Sequence, residues 1–143
     1  MILNRQREVR VARPALESFL RRVKRELGLG RSPVTICLVS DREMARLNET
    51  FRKKKGPTDV LSFPQENSFS PLATRHSPLD LGDIAISPAT ARRYAKKHAR
   101  SLASEIRVLM LHGVLHLLGY DHETDRGEMD RLEQKLRKRL GIA

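Results

Sequence analysis

Tryptophan is absent from these 143 residues, and four phenylalanines and two tyrosines are the only aromatics. The core must therefore be aliphatic, and platforms on which unpaired bases could stack are few. A single cysteine, Cys37, excludes an intramolecular disulfide. It sits in the run Val34-Thr35-Ile36-Cys37-Leu38-Val39, where a thiol is a buried packing group rather than a nucleophile. No apolar stretch approaches the ~20 residues of a membrane span, and Met1-Ile2-Leu3-Asn4-Arg5 lacks the apolar core of a signal peptide. A cytoplasmic protein with no membrane partner is the expectation. Acidic residues are also in short supply, 17 Asp and Glu against 28 Lys and Arg, for a net charge of +11. That excess favours a polyanionic partner, nucleic acid before membrane.

The length suits one domain, taken as residues 1–143. A first strand is expected around 8–11. Pro14 opens a helix whose period runs through Leu16, Phe19, Leu20, Val23 and Leu27, and Gly28 and Gly30 end it. The apolar, β-branched run 34–39 suits a central strand. Ser40 or Asp41 then caps a short helix with Met44 and Leu47 inward, and 51–57 reads as a basic loop. A short strand at 60–63 ends at Pro64, and the polar segment 65–78 is an exposed loop. Apolar alternation through Leu79, Leu81, Ile84 and Ile86 slips phase at Gly82-Asp83, which predicts a bulge or tight turn.

Ser87-Pro88 is a helix start, and the next helix, about 101–118, is apolar nearly all round and must be buried. A last helix over 124–140 turns Met129, Leu132, Leu136 and Leu140 inward. Its acids come early and its bases late, as the helix dipole prefers, so its basic end is not counted as a nucleic-acid site. The expected architecture is α+β: a small mixed sheet of about four strands, packed with about five helices around a central buried one.

That buried helix carries the chemistry. His112 and His116 are four residues apart and share a face, so both imidazoles can reach one tetrahedral ion. Gly119 allows the chain to turn back and bring His122 to the same point. One histidine on an apolar face is usually just a satisfied core residue, but three within eleven residues around a helix breaker point to a metal. Three nitrogens suit one Zn²⁺ best, although nickel, copper and iron also accept imidazole. Three protein ligands leave a fourth position open, the pattern of a catalytic zinc. Asp121 suits either orientation of a ligand imidazole or a helix cap. Glu105, two helical turns before His112, is roughly 10 Å away along the axis, too far to share the ion, and suits a buried ion pair or a helix-start role. His76 and His98 are assigned to surface or helix-end positions.

The spacing equals that of the metzincin proteases, but Gly113 stands where those carry a glutamate general base. The segment from His112 to His122, HGVLHLLGYDH, instead resembles the hallmark of the YbeY family of bacterial metal-dependent endoribonucleases of ribosomal RNA maturation. Leu47-Asn48 with Phe51-Arg52, Thr58-Asp59-Val60-Leu61-Ser62-Phe63-Pro64, and Leu81-Gly82-Asp83-Ile84-Ala85-Ile86-Ser87 resemble the family pattern in the same order.

The resemblance implies an endoribonuclease that prefers single-stranded RNA, acts in 16S ribosomal RNA processing and ribosome biogenesis, and meets the ribosome or its proteins. It also implies a catalytic role for Arg52, whose guanidinium could stabilise charge developing on a phosphodiester. Without it, Arg52-Lys53-Lys54-Lys55 reads as a solvated basic loop; with it, Lys53, Lys54 and Lys55 become RNA-backbone contacts, and Thr58-Asp59 shapes the site floor. The basic face Arg92, Arg93, Lys96, Lys97 and Arg100 fits RNA binding and plain solvation equally. Two alternatives stand beside the nuclease: a zinc hydrolase acting on peptides, and a non-catalytic ribosome-assembly factor whose metal secures the fold.

Overall fold

The computed structural model describes residues 1–65, Leu72, 80–121 and 123–142. Its elements are β1 (Ile2–Asn4), α1 (Arg13–Glu26), β2 (Val34–Leu38), α2 (Asp41–Arg52), β3 (Val60–Pro64), β4 (Gly82–Ile86), α3 (Pro88–Lys97), α4 (Leu102–Leu117) and α5 (Glu128–Leu140). The four strands form one mixed sheet in the order β1-β2-β4-β3, with β3 alone antiparallel. The α+β expectation holds. Among the described residues, no helix is long and apolar enough to cross a membrane.

The first strand lies earlier than the 8–11 expectation. Ile2 pairs with Ile36, and the N-terminal ammonium donates to the Val34 carbonyl at 2.8 Å. At Val9 the Gln6 amide supplies the backbone partners instead: its Nε2 donates to the Val9 carbonyl and its Oε1 accepts from the Val9 N–H. A side chain that closes a local loop removes the need for a ladder there.

Helix α2 is longer than its apolar period suggests and takes in Phe51 and Arg52. Ser40 caps its start, accepting from the Glu43 N–H, and Lys53 ends it in the left-handed region at φ 57°. The exposed ring of Phe51 meets Phe63 of β3 edge to face, so the helix runs over the first two residues of the segment expected as a basic loop.

The phase slip at Gly82-Asp83 is not a bulge. Both β2 and β3 pair with β4 in unbroken register from Gly82 to Ile86. All five residues are buried, because the main core packs on Ile84 and Ile86 while Met44 and Leu47 of α2 pack with Ala85 on the other face, so alternation has no reason to persist. Gly82 sits at φ 134°, and a Cβ there would lie 2.4 Å from the Phe63 carbonyl oxygen. The segment expected as an exposed loop, 65–78, lies almost wholly outside the described residues.

The core is aliphatic as expected, with Ile36, Leu38, Ile84, Ile86, Met110, Leu111 and Leu115 fully buried between sheet and helices. Cys37 is inside too, and burial pushes its thiol up to about 11, so it is inert at neutral pH. The last helix begins at Glu128, not 124. Gly127 at φ 96° precedes it, and the Asp125 carboxylate accepts from the Gly127 and Met129 N–H groups.

Asp41 joins the start of α2 to that of α3. Its carboxylate accepts from Ser87 Oγ at 2.6 Å, Thr90 Oγ1 at 2.7 Å and Arg93 at 2.9 Å. Partial burial pushes its pKa up, but these donors outweigh it and hold the carboxyl below the ordinary range. The stability this adds is complete above about pH 4, the unfolded value, and is lost as pH falls through the lower folded value. Asp41→Asn is therefore expected to cost about 1–2 kcal/mol near neutrality. Urea midpoints of the two proteins should converge towards pH 2; a gap that stays constant would show the charge to be irrelevant.

Candidate metal centre

Helix α4 starts at Ser101, whose hydroxyl accepts from the Ser104 N–H, and is buried along most of its circumference. His112 and His116 interrupt that burial on one strip. Their rings meet at 73° with centroids 4.6 Å apart, and their Nε2 atoms are 3.0 Å apart. Two nitrogens on one tetrahedral zinc at 2.0–2.1 Å would sit roughly 3.3 Å apart. The pair is thus set close to the separation that one ion requires.

The chain then turns as expected. Leu118 caps the helix, Gly119 takes φ 96°, and the N–H groups of Gly119 and Tyr120 donate to the carbonyls of His116 and Leu115. This pattern satisfies the last carbonyls and redirects the backbone across the helix end. It delivers Asp121 to the cleft beside the histidines. His122, the third expected ligand, lies outside the described residues. Among those that are described, no group of three His, Cys, Asp or Glu side chains is arranged to hold a metal.

Asp121 caps a local turn rather than α5: its Oδ1 accepts from the Glu123 N–H at 2.9 Å. A carboxylate placed at a ring nitrogen of the pair comes from α5. Glu133 on α5 is buried, and its Oε1 lies 3.0 Å from His112 Nδ1, while its Oε2 pairs with Arg137 one turn on. A carboxylate at Nδ1 makes that nitrogen the proton carrier and leaves Nε2 with its lone pair, the form a metal accepts. The donor chemistry fits a borderline metal such as zinc. Sequence reasoning missed Glu133, and the available signal was weak: an acid on the same face as Met129 and Leu136 in an otherwise apolar stripe.

A cleft of about 470 Å³ opens over the two histidines. Arg52 lines it from the last turn of α2, Thr58 and Asp59 from the entry to β3, Ser62 from β3 itself, and Asp121 and Glu123 from beyond α4. Burial pushes the Asp59 carboxyl above its usual range, against its own and the Val60 backbone N–H groups and the nearby His112. The Asp59 carbonyl accepts from the Ser87 N–H, so the site floor expected of Thr58-Asp59 is tied to the start of α3. Ser62 Oγ donates to the Gly113 carbonyl at 3.2 Å and locks β3 to the histidine helix.

Arg52 is thus brought to the histidines across sixty residues of sequence. Lys53, Lys54 and Lys55 are exposed and do not line the cleft. Their loop is pinned by buried Asn48, whose Nδ2 donates to the Gly56 carbonyl. Glu105 makes the buried ion pair expected of it, 2.8 Å from His98 Nδ1 and 2.9 Å from Arg100. Gly113 faces away from the cleft: a Cβ there would lie 2.9 Å from both Cδ1 and Cγ2 of Ile84 in β4.

The family model described as Endoribonuclease YbeY matches residues 1–141. A relative of that name from Solibacter usitatus is 46% identical over 130 residues, covering 91% of this chain and 80% of the relative. Another, from Koribacter versatilis, is 41% identical over 142 residues, covering 99% and 86%. A solution structure of a Thermotoga maritima protein superposes with a TM-score of 0.63 at 27% identity, covering 98% of this chain and 89% of that one.

Proposed function

The chain belongs to the YbeY endoribonuclease family, and from that premise we propose that it is a metal-dependent, single-strand-preferring endoribonuclease of ribosomal RNA processing. The observation that carries this reading is that Arg52 and the α4 imidazoles line one cleft. His112 and His116, with His122, would hold the ion, zinc in the first instance. Bound there, it supplies a Lewis acid for a phosphoryl oxygen and lowers the pKa of water.

The remaining work falls to the chain itself. Arg52, on a capped helix end rather than a free loop, can present its guanidinium to the non-bridging oxygens of the scissile phosphate. Charge grows on those oxygens as the phosphorus gains a fifth neighbour, so paired N–H donors stabilise the transition state more than the ground state. Glu133 holds His112 in its ligand tautomer. Lys53, Lys54 and Lys55, outside the cleft, would follow the RNA backbone on either side of it. Cytoplasmic work beside the ribosome and its proteins accords with this substrate and with the net charge of +11.

Peptide hydrolysis is disfavoured by Gly113, which cannot act as a base and whose position points into the sheet. The test is Arg52→Ala, assayed on a single-stranded ribosomal RNA fragment with metal content and melting temperature measured on the same sample. Cleavage should fall roughly 10²–10³-fold with metal and fold retained. A folded, metal-loaded variant with full activity would refute the role given to Arg52.

A further inference from the structure

The solvent face of α3 carries a group that the cleft does not use. In a chain with six aromatics, Tyr94 is spent on the surface, 38% exposed, while Ala91 and Ala95 of the same helix face the core. The imidazole of His98 stacks one turn on, with centroids 6.1 Å apart and planes within 13°. His98 is itself clamped: Glu105 of α4, 2% exposed and held by Arg100, takes its Nδ1. A buried carboxylate on the next helix thus holds the exposed His98 ring against which Tyr94 stacks.

The charges around the pair divide in two. Arg93 is engaged by Asp41 and Arg100 by Glu105. Arg92, Lys96 and Lys97 stay exposed and, among the described residues, form no ion pair; Lys97 Nζ lies 5.5 Å from the centre of the Tyr94 ring. An exposed aromatic pair bordered by these three cations matches unpaired bases joined by phosphates. A duplex buries its base faces and would leave the rings unused. The start of α3 is bonded to the cleft floor through Ser87 and Asp59, and Tyr94 follows roughly 10 Å along the helix axis.

We propose that the Tyr94–His98 pair, with Arg92, Lys96 and Lys97, is a stacking site for single-stranded RNA that holds the strand a few nucleotides from the cleft. The identity of the strand rests on the ribonuclease reading. The absence of tryptophan makes the site directly observable, because Tyr120→Phe leaves Tyr94 as the sole tyrosine. In that protein, a single-stranded 2′-O-methyl oligoadenylate dodecamer should quench the emission saturably, and a blunt duplex of the same length should not.

In the otherwise unchanged chain, Tyr94→Ala should weaken dodecamer binding about tenfold or more, and Tyr94→Phe, which keeps the ring, should bind like the parent. Tyr94→Ala should also raise KM for a long single strand and leave kcat alone. Absent quenching, equal quenching by duplex, or unweakened binding by Tyr94→Ala would each overturn the proposal. If quenching persists but no RNA is cut, the ribonuclease reading falls and the stacking face stands. If cleavage proceeds with KM unchanged in Tyr94→Ala, the stacking face falls and the ribonuclease stands.

Discussion

Replacing His112 with alanine is expected to strip the protein of its metal and reduce RNA cleavage by about 10³-fold or more, while the fold survives. The magnitude follows from the several kcal/mol of transition-state stabilisation that a bound ion supplies. The fold should survive because the imidazole is only half-buried at a cleft wall and Glu133 keeps Arg137 as a partner. About 1–3 kcal/mol is the expected stability loss, from a buried carboxylate left with one partner fewer. Glu133→Gln provides the graded control. It retains an oxygen near Nδ1 but removes the charge, and metal affinity by chelator competition should drop about ten- to hundredfold. Metal retained at parental affinity in His112→Ala would sink the centre as described, whatever the nuclease assay gave.

Gly113→Glu, the change that would restore a protease-like base on paper, is expected to prevent folding rather than create a peptidase. Position 113 is closed by Ile84, which is wholly buried in β4 between β2 and β3 and has nowhere to retreat. A carboxylate placed there would be buried with neither room nor partner, at a cost of several kcal/mol. The mild version can be measured. Gly113→Ala adds one methyl at 2.9 Å from two Ile84 carbons. Overpacking of about 1–3 kcal/mol should exceed the gain of about 1 kcal/mol in helix propensity. If the clash is the cause, the penalty should largely disappear when measured in an Ile84→Ala background. A Gly113→Glu protein that melts like the parent would show that the position does not face the sheet.

The absence of a base at position 113 therefore has two explanations of different kinds. In the sequence it is a missing functional group, read against the protease pattern. In the structure it is a packing requirement, since the helix bearing the histidines must lie against Ile84 while Ser62 reaches the Gly113 carbonyl. Both argue against peptide hydrolysis, and only the second says why glycine itself stands there.

Legibility was highest where cause and effect are neighbours in the chain. The caps at Ser40, Ser87 and Ser101, the helix-ending turn at Gly119 and the one-turn pairing of His112 with His116 are all consequences of helical rise and of hydrogen bonds spanning a few residues. The errors also have local causes. Residues 8–11 have β-branched valines, but a Gln6 side chain satisfies Val9. The slip at Gly82-Asp83 misleads because alternation is only informative for a strand with one wet face, and β4 has none.

The sequence by itself therefore determined the buried histidine helix, its two facing imidazoles and the turn that follows them, because backbone geometry sets those positions before anything packs. Tertiary structure alone decided which distant groups meet them. Glu133 arrives from α5 at the far side of His112, Arg52 arrives on α2, and Ile84 dictates Gly113 from β4. Those partners depend on which faces of separate elements come together, and no spacing along the chain encodes that.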